Sequence, residues 1–440
     1  DLERDGLRHS WEGRSDTETL LYSVRHWGIE RALQACVGMF ALALWDKQER
    51  TLTLARDRMG EKPIYYGHSG GVFLFGSELS GLKAHPSFAV EVDRNALLLL
   101  VRYNCISAPY SIYKGVRKLL PGHYLVVSAT EEGSPKLDEE KAYWCFNAAV
   151  QSGMEHPFEG SDDDARETLE KQLLESVRSQ LIADVPLGAF LSGGIDSSTV
   201  VALMQAQSGR PVRTFTIGSE QGEYDEASDA RKVAAHLGTD HTELYVSASD
   251  ALEIIPELPA IYCEPFADSS QIPTFLVSKL ASEHVKVALS GDGGDELFAG
   301  YNRYLHARTV WRRANSMPRA VRRAISSFLR ALPPDQWDRV FGFARQLSFG
   351  KVDLRTPGDK AHKLAGAILQ DTNAAFYRYL VSDWQDPASI VVGGEEPPSA
   401  FDSRQGTPNT NTFIEWMMAA DAQSYMPDDI LTKIDRAAMR

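Results

Sequence analysis

The stretch LGAFLSGGIDSSTVVALMQ, residues 187–205, decides the fold. Leu187–Leu191 is a short apolar run, Ser192–Ser198 a glycine-rich turn, and Thr199–Gln205 carries apolar residues at helical spacing, so the segment reads strand, turn, helix. The alternation continues on both sides. Leu169, Leu173, Val177 and Leu181 recur every four residues and mark an amphipathic helix upstream. Downstream the pattern predicts a strand at Val212–Ile217, a helix at Glu226–Leu237, a strand at His241–Val246, a short helix at Ala251–Ile255 stopped by Pro256, and a strand at Lys286–Leu289. Such alternation implies an α/β domain with a parallel sheet, helices on both faces and any ligand at the carboxyl ends of the strands. Beyond Tyr304 the chain reads as mostly helical, and no internal repeat is visible.

Upstream the period is different. Phe40–Trp45 and Thr51–Ala55 flank the polar turn Asp46–Arg50 and predict a hairpin, with further strands at Pro63–Tyr66, Val72–Phe75 and His123–Val127. This region is expected to be α+β with antiparallel sheets. Between Gln151 and Asp164 the composition turns to Gly, Ser, Pro and acid, as in a linker, which divides the chain into residues 1–150 and 160–440.

The composition excludes several classes. With 46 Lys and Arg against 60 Asp and Glu, the 440 residues carry a formal charge of −14, which argues against wrapping nucleic acid. Arg308–Arg330 holds seven arginines, but only Trp311 and Phe328 interleave with them, so it reads as a solvated helical face. Apolar stretches such as Met39–Trp45 and Ala96–Val101 are far shorter than the roughly 20 residues of a membrane span. Neither a CxxC spacing nor a dense disulfide framework is present, and Cys36, Cys105, Cys145 and Cys263 are expected to be small core residues.

Ser192-Gly193-Gly194-Ile195-Asp196-Ser197-Ser198 lies where glycines let backbone approach a ligand and amides face an anion at a helix start. No Lys follows the glycines, so this is not the loop of γ-phosphate hydrolases, and the GxGxxG spacing is absent. A carboxylate at a phosphate site repels its guest unless a divalent cation lies between them, so Asp196 reads as a Mg²⁺ ligand, with Ser192, Ser197 and Ser198 as hydroxyl donors. A tight turn capped by Ser and Asp accounts for the same letters. A second cluster, Ser290-Gly291-Asp292-Gly293-Gly294-Asp295-Glu296, also follows an apolar strand, and the two loops should face one crevice.

SGGIDSS (192–198) resembles the pyrophosphate loop of the ATP-pyrophosphatase superfamily. With TFTIG (214–218), EPFADSSQIP (264–273), SGDGGDELFAGYNRY (290–304) and LTKIDRAAM (431–439), the chain resembles the glutamine-hydrolysing asparagine synthetases. RSDTE (14–18), GMFALALWD (38–46), ARDRMGEKPIYY (55–66) and SEL (77–79) are similar to that family's amino-terminal, Ntn-type glutaminase domain.

The resemblance implies that ATP adenylates the side-chain carboxylate of aspartate with release of pyrophosphate, and that ammonia derived from glutamine then displaces AMP. It implies that Ser192, Gly193, Gly194, Asp196, Ser197 and Ser198 cradle pyrophosphate, that Asp196 and Asp295 hold Mg²⁺, and that Phe190, Ile217, Ser290 and Gly291 contact the nucleotide. Asp292 matches the position tied to forming the aspartyl-adenylate, where many members carry Glu. Lys433 either neutralises phosphate or pairs with Asp428 or Asp435 on its own helix. Glu264, Asp268 and Gln271 are expected near the crevice or as loop caps, and Asp16 either contacts the amine of glutamine or caps a helix before Thr17–Ser23. The implied setting is a cytoplasmic enzyme, with a homodimer, aspartate, ATP and glutamine or ammonia as partners and neither nucleic acid nor membrane.

The chain begins at Asp1 and ends at Arg440 inside a helical pattern running from Ile430 to Met439, so it is expected to be cut at both ends and unable to hydrolyse glutamine by itself. Two readings compete with the ligase: a related amidotransferase or cyclase acting on another carboxylate, and a non-catalytic paralogue.

Overall fold

The computed structural model describes residues 1–440 apart from 7, 8, 10, 14, 130–134, 220–225, 348–355, 400, 402–409 and 440. Its amino-terminal strands are β1 (Ala41–Asp46), β2 (Thr51–Arg56), β3 (Tyr65–Ser69), β4 (Val72–Gly76), β5 (Val116–Lys118), β6 (His123–Ala129), β7 (Pro135–Leu137) and β8 (Lys141–Ala142). They form two antiparallel sheets, one ordered β1-β2-β6-β7 with β8 also on β6, the other β4-β3-β5. The expected hairpin is present, with Ala41 opposite Arg56 and Asp46 opposite Thr51. Leu54, Ile64, Tyr66, Leu119, Leu125 and Val127 form one core between the sheets. The strand expected at 63–66 begins two residues later, since Pro63 has no N–H to give to a ladder.

The second half contains β9 (Leu187–Phe190), β10 (Arg213–Ser219), β11 (Asp240–Val246) and β12 (Val287–Leu289), all parallel in the order β11-β10-β9-β12. Thr214, Phe215 and Thr216 are buried because helices cover both faces. On one side Val177, Val201, Met204, Ala230 and Ala234 pack on Ala189, Leu191 and Leu289; on the other Ala281, Val285 and Val277 pack on Phe215 and Phe190. Tyr304, Phe376, Tyr377, Trp416 and Met417 centre a third, helical core downstream.

Three expectations need correction. The helix Phe146–Glu155 occupies the first part of the expected linker, because Ala148, Ala149, Gln151 and Met154 are strong helix formers that outweigh Gly153. The following helix, Asp162–Gln180, starts where Ser161 and Asp164 form a reciprocal capping box. Pro256 does not stop the chain's helical course: a 3₁₀ turn, Ile255–Glu257, carries it into Leu258–Tyr262, since proline is tolerated in a first turn. Of the cysteines only Cys105 is buried; Cys36 and Cys263 are half-buried, and Cys145 is exposed ahead of a helix that buries none of its residues. Among the described residues no helix is long and apolar enough to cross a membrane.

Candidate active site

β9 and β12 are neighbours in the sheet, so the turns leaving their carboxyl ends meet. In the first turn, Gly193 has φ +82°, and a Cβ there would lie 2.7 Å from the backbone nitrogen of Ala230, so the turn is pressed onto the helix Ala227–Leu237. The serines brace it. The Ser192 and Ser197 hydroxyls are 2.9 Å apart, Ser192 N donates to Ser197 Oγ (3.2 Å), and Gly194 N donates to Ser192 Oγ (3.3 Å). The helix Ile195–Gln207 begins directly after Gly194 and no side chain caps it, which leaves its first amides facing the crevice.

The second turn packs on the first. A Cβ on Gly291 would stand 2.6 Å from Ser197 N, and one on Gly294 would stand 2.6 Å from Asp196 Cγ. Burial, and then the charge of Asp295, push the Asp196 carboxyl up from its ordinary value. Two carboxylates whose charges act on each other in this way are suited to a cation nearby. Among the described residues no group of three or more acidic, His or Cys side chains forms a ready-made metal site. A Mg²⁺ held by Asp196 and Asp295 would therefore take its remaining oxygens from phosphate and water.

Both turns line a cavity of about 1070 Å³. Phe190, Ser192, Gly194, Asp196, Ser197, Ile217, Ser290, Gly291, Asp292 and Asp295 are all on its wall, as the sequence reading expects. Gly193 and Ser198 are not; Gly193 backs the turn, and Ser198 Oγ is buried without a hydrogen-bond partner. Asp292 is exposed on the wall. Glu296, cited before only as one acid of the motif, is 1% exposed and accepts a 2.6 Å hydrogen bond from Tyr301 Oη, with burial pushing its carboxyl up. Ser269 and Ser270 also reach the wall, as does Glu226, whose carboxyl burial pushes up. Their sequence signal is weak, because lone serines and acids in loops are ordinary.

Lys433 pairs with neither Asp428 nor Asp435. Its Nζ lies 3.0 Å from Asp268 Oδ2 and 2.8 Å from Ser270 Oγ. Residues two apart on a helix face different ways, and Asp435 instead meets Lys62 of the amino-terminal region at 2.7 Å. Asp428 sits on a π-helical turn, Met426–Ile430, and accepts from Ala108 N (2.9 Å). Glu264 is away from the cavity, paired with Lys118, and Gln271 donates to Phe266 O (3.3 Å). Asp16 is the exposed first residue of the helix Asp16–Trp27, and the cap is its neighbour Ser15, whose hydroxyl accepts from Thr17 N. Backbone direction at the helix start places the cap one residue earlier than expected.

The profile described as asparagine synthase matches residues 168–440, and that of a glutamine amidotransferase domain matches residues 2–144. The chain belongs to the asparagine synthase family. Within that family it is 35% identical, over 429 residues, to a protein of Mycobacterium tuberculosis described as a putative glutamine-hydrolysing asparagine synthetase, covering 96% of this chain and 61% of the relative. A similarly described protein of Methanocaldococcus jannaschii is 36% identical over 303 residues, 67% of this chain and 55% of the relative. Asparagine synthetase 1 of Bacillus subtilis is 33% identical over 305 residues, 69% of this chain and 45% of its own length. The chain thus spans roughly half to three fifths of these relatives.

Proposed function

We propose that this chain carries the ATP-activating site of a glutamine-dependent asparagine synthetase. The observation that supports it best is the contact between the two glycine-acid turns, which puts Asp196 and Asp295 together on the wall of one large cavity at the carboxyl ends of β9 and β12. In this reading ATP lies with its purine against Phe190 and Ile217 and the backbone of Ser290 and Gly291. Its β- and γ-phosphates meet the amides of Ile195, Asp196 and Ser197 at the uncapped helix start. Asp196 and Asp295 would hold a Mg²⁺, which would supply positive charge toward the departing pyrophosphate. The loop serves a leaving pyrophosphate without a lysine, since amides already aimed at the phosphates need no reorientation as charge develops.

The aspartate side-chain carboxylate attacks the α-phosphorus, forming the acyl-adenylate and releasing pyrophosphate; ammonia derived from glutamine then attacks the acyl carbon and AMP leaves. Asp292, exposed at the cavity wall, is placed to orient the acceptor, and Lys433 fixes Ser270 from behind the wall. Asp16 is assigned to the glutamine amine, and the enzyme to the cytoplasm as a homodimer. Pyrophosphate release in the presence of aspartate and MgATP tests the reading. It should be lost on Asp196→Ala with the circular dichroism spectrum unchanged. Release with other carboxylates but not aspartate would move the chain to a related amidotransferase or cyclase.

A further inference from the structure

Asp429, on the π-helical turn, is 2% exposed, and its Oδ1 has no hydrogen-bond partner. An ionised carboxylate stranded in that way is strongly disfavoured. Its side chain instead hydrogen-bonds the carboxyl of Asp268, and two carboxyls share such a bond only when one of them holds a proton. Asp268 is already supplied with donors: Ser270 Oγ at 2.6 Å, Ser270 N at 2.8 Å and Lys433 Nζ at 3.0 Å. Asp268 is therefore the ionised member, and the proton belongs to Asp429. Among the described residues, Lys433, Asp428, Cys105, Tyr262 and Tyr425 face Asp429, and Arg303 and Lys363 share the wall of the cavity that it borders. Asp268 and Asp429 border a second cavity of about 460 Å³, and Ser269 lines both that space and the nucleotide cavity.

We propose that Asp429 is a positioning residue of the nucleotide site: held as the neutral acid, it gives its hydrogen bond to Asp268 and so fixes the Asp268–Ser270–Lys433 strut behind the cavity wall. This rests on the adenylation reading and adds a pH control to the same site. Loss of the proton sets a second negative charge beside Asp268, divides Lys433 between two carboxylates and loosens Ser270. It also adds negative charge behind a wall that must receive a polyphosphate. Burial and the neighbouring Asp268 push the Asp429 carboxyl up to about 8, so the change falls in the mildly alkaline range.

Calorimetric titration of the whole chain with MgATP at pH 7 and pH 9, alongside infrared spectra, tests this. Wild type should bind MgATP about tenfold more weakly at pH 9, the share of neutral acid left one unit above its midpoint. Asp429→Asn keeps a neutral donor toward Asp268 and should abolish that dependence, whereas Asp429→Leu, with no donor, should bind weakly at both values. The carbonyl absorption of neutral carboxylic acid at pH 7 should be stronger in wild type than in Asp429→Asn, the difference being the Asp429 band. The inference is overturned if Asp429→Asn weakens with pH as wild type does, or if wild type lacks the Asp429 band. Failure of wild type to bind MgATP at any pH would overturn the adenylation reading, while the infrared band still judges the proton on Asp429.

Discussion

Lys118 Nζ lies 2.7 Å from Glu264 Oε2, and each of the two side chains is more than nine-tenths buried. The pair joins β5 of the amino-terminal region to the segment that leads into the large cavity, and Glu264 also accepts from Ile112 N (2.9 Å). Breaking a buried pair strands a charge, so Lys118→Met should cost about 3–5 kcal/mol of unfolding free energy, while Lys118→Met with Glu264→Leu should recover much of it. Urea unfolding of the two variants checks this, and equal loss in both would show that shape, not charge, holds the junction.

The two turns touch through glycine. Gly291→Ala drives a methyl against Ser197 N and should cost about 1–3 kcal/mol while weakening MgATP binding at least tenfold. Gly81→Ala, in the short helix Leu79–Lys83 where nothing lies within 4 Å of the new Cβ, is the control: it should leave nucleotide binding unchanged and cost no stability, adding up to about 1 kcal/mol. Thermal unfolding and nucleotide titration of the pair decide it.

Asp429 also sets a pH dependence of stability. Its carboxyl is raised in the folded chain, to about 8, above the ordinary value near 4, so the folded state keeps a proton that the unfolded chain has released. The stabilisation that this proton brings is complete below about pH 4 and drains away as pH rises to about 8, at about 1.4 kcal/mol per unit. Asp429→Asn removes the slope. The variant should therefore gain on wild type as pH rises from 5 to 8; parallel melting curves would contradict this.

Glutamine should stay intact in the presence of this chain. Burial pushes the thiols of Cys36, Cys105 and Cys263 up, away from the thiolate that attacks an amide, and the exposed Cys145 lines neither of the two cavities described. Glutamate release measured by coupled assay should match the enzyme-free rate, and a rate above it would mean that a nucleophile has been overlooked.

What could be read beforehand was local. Glycine and acid between an apolar strand and a helix have few structural uses, so both turns and the parallel sheet that carries them were legible in 187–205 and 285–296, whereas the strand order, set by tertiary pairing, was not. The partner of Lys433 was not, because Asp268 lies 165 residues away and only tertiary packing brings it close. The charge state of Asp429 was equally hidden, since it follows from burial and from an oxygen with no partner. The helix over Phe146–Glu155 was obscured by the Gly, Ser, Pro and acid that follow it.

Asp196 and Asp295 are assigned to cleavage between the α- and β-phosphates. Chromatography of nucleotide products after incubation with MgATP, aspartate and an ammonium salt, which supplies the attacking ammonia, tests it. AMP and pyrophosphate should appear in equal amounts, and both should disappear in Asp196→Ala; ADP and inorganic phosphate, or AMP formation unchanged by that substitution, would contradict the account.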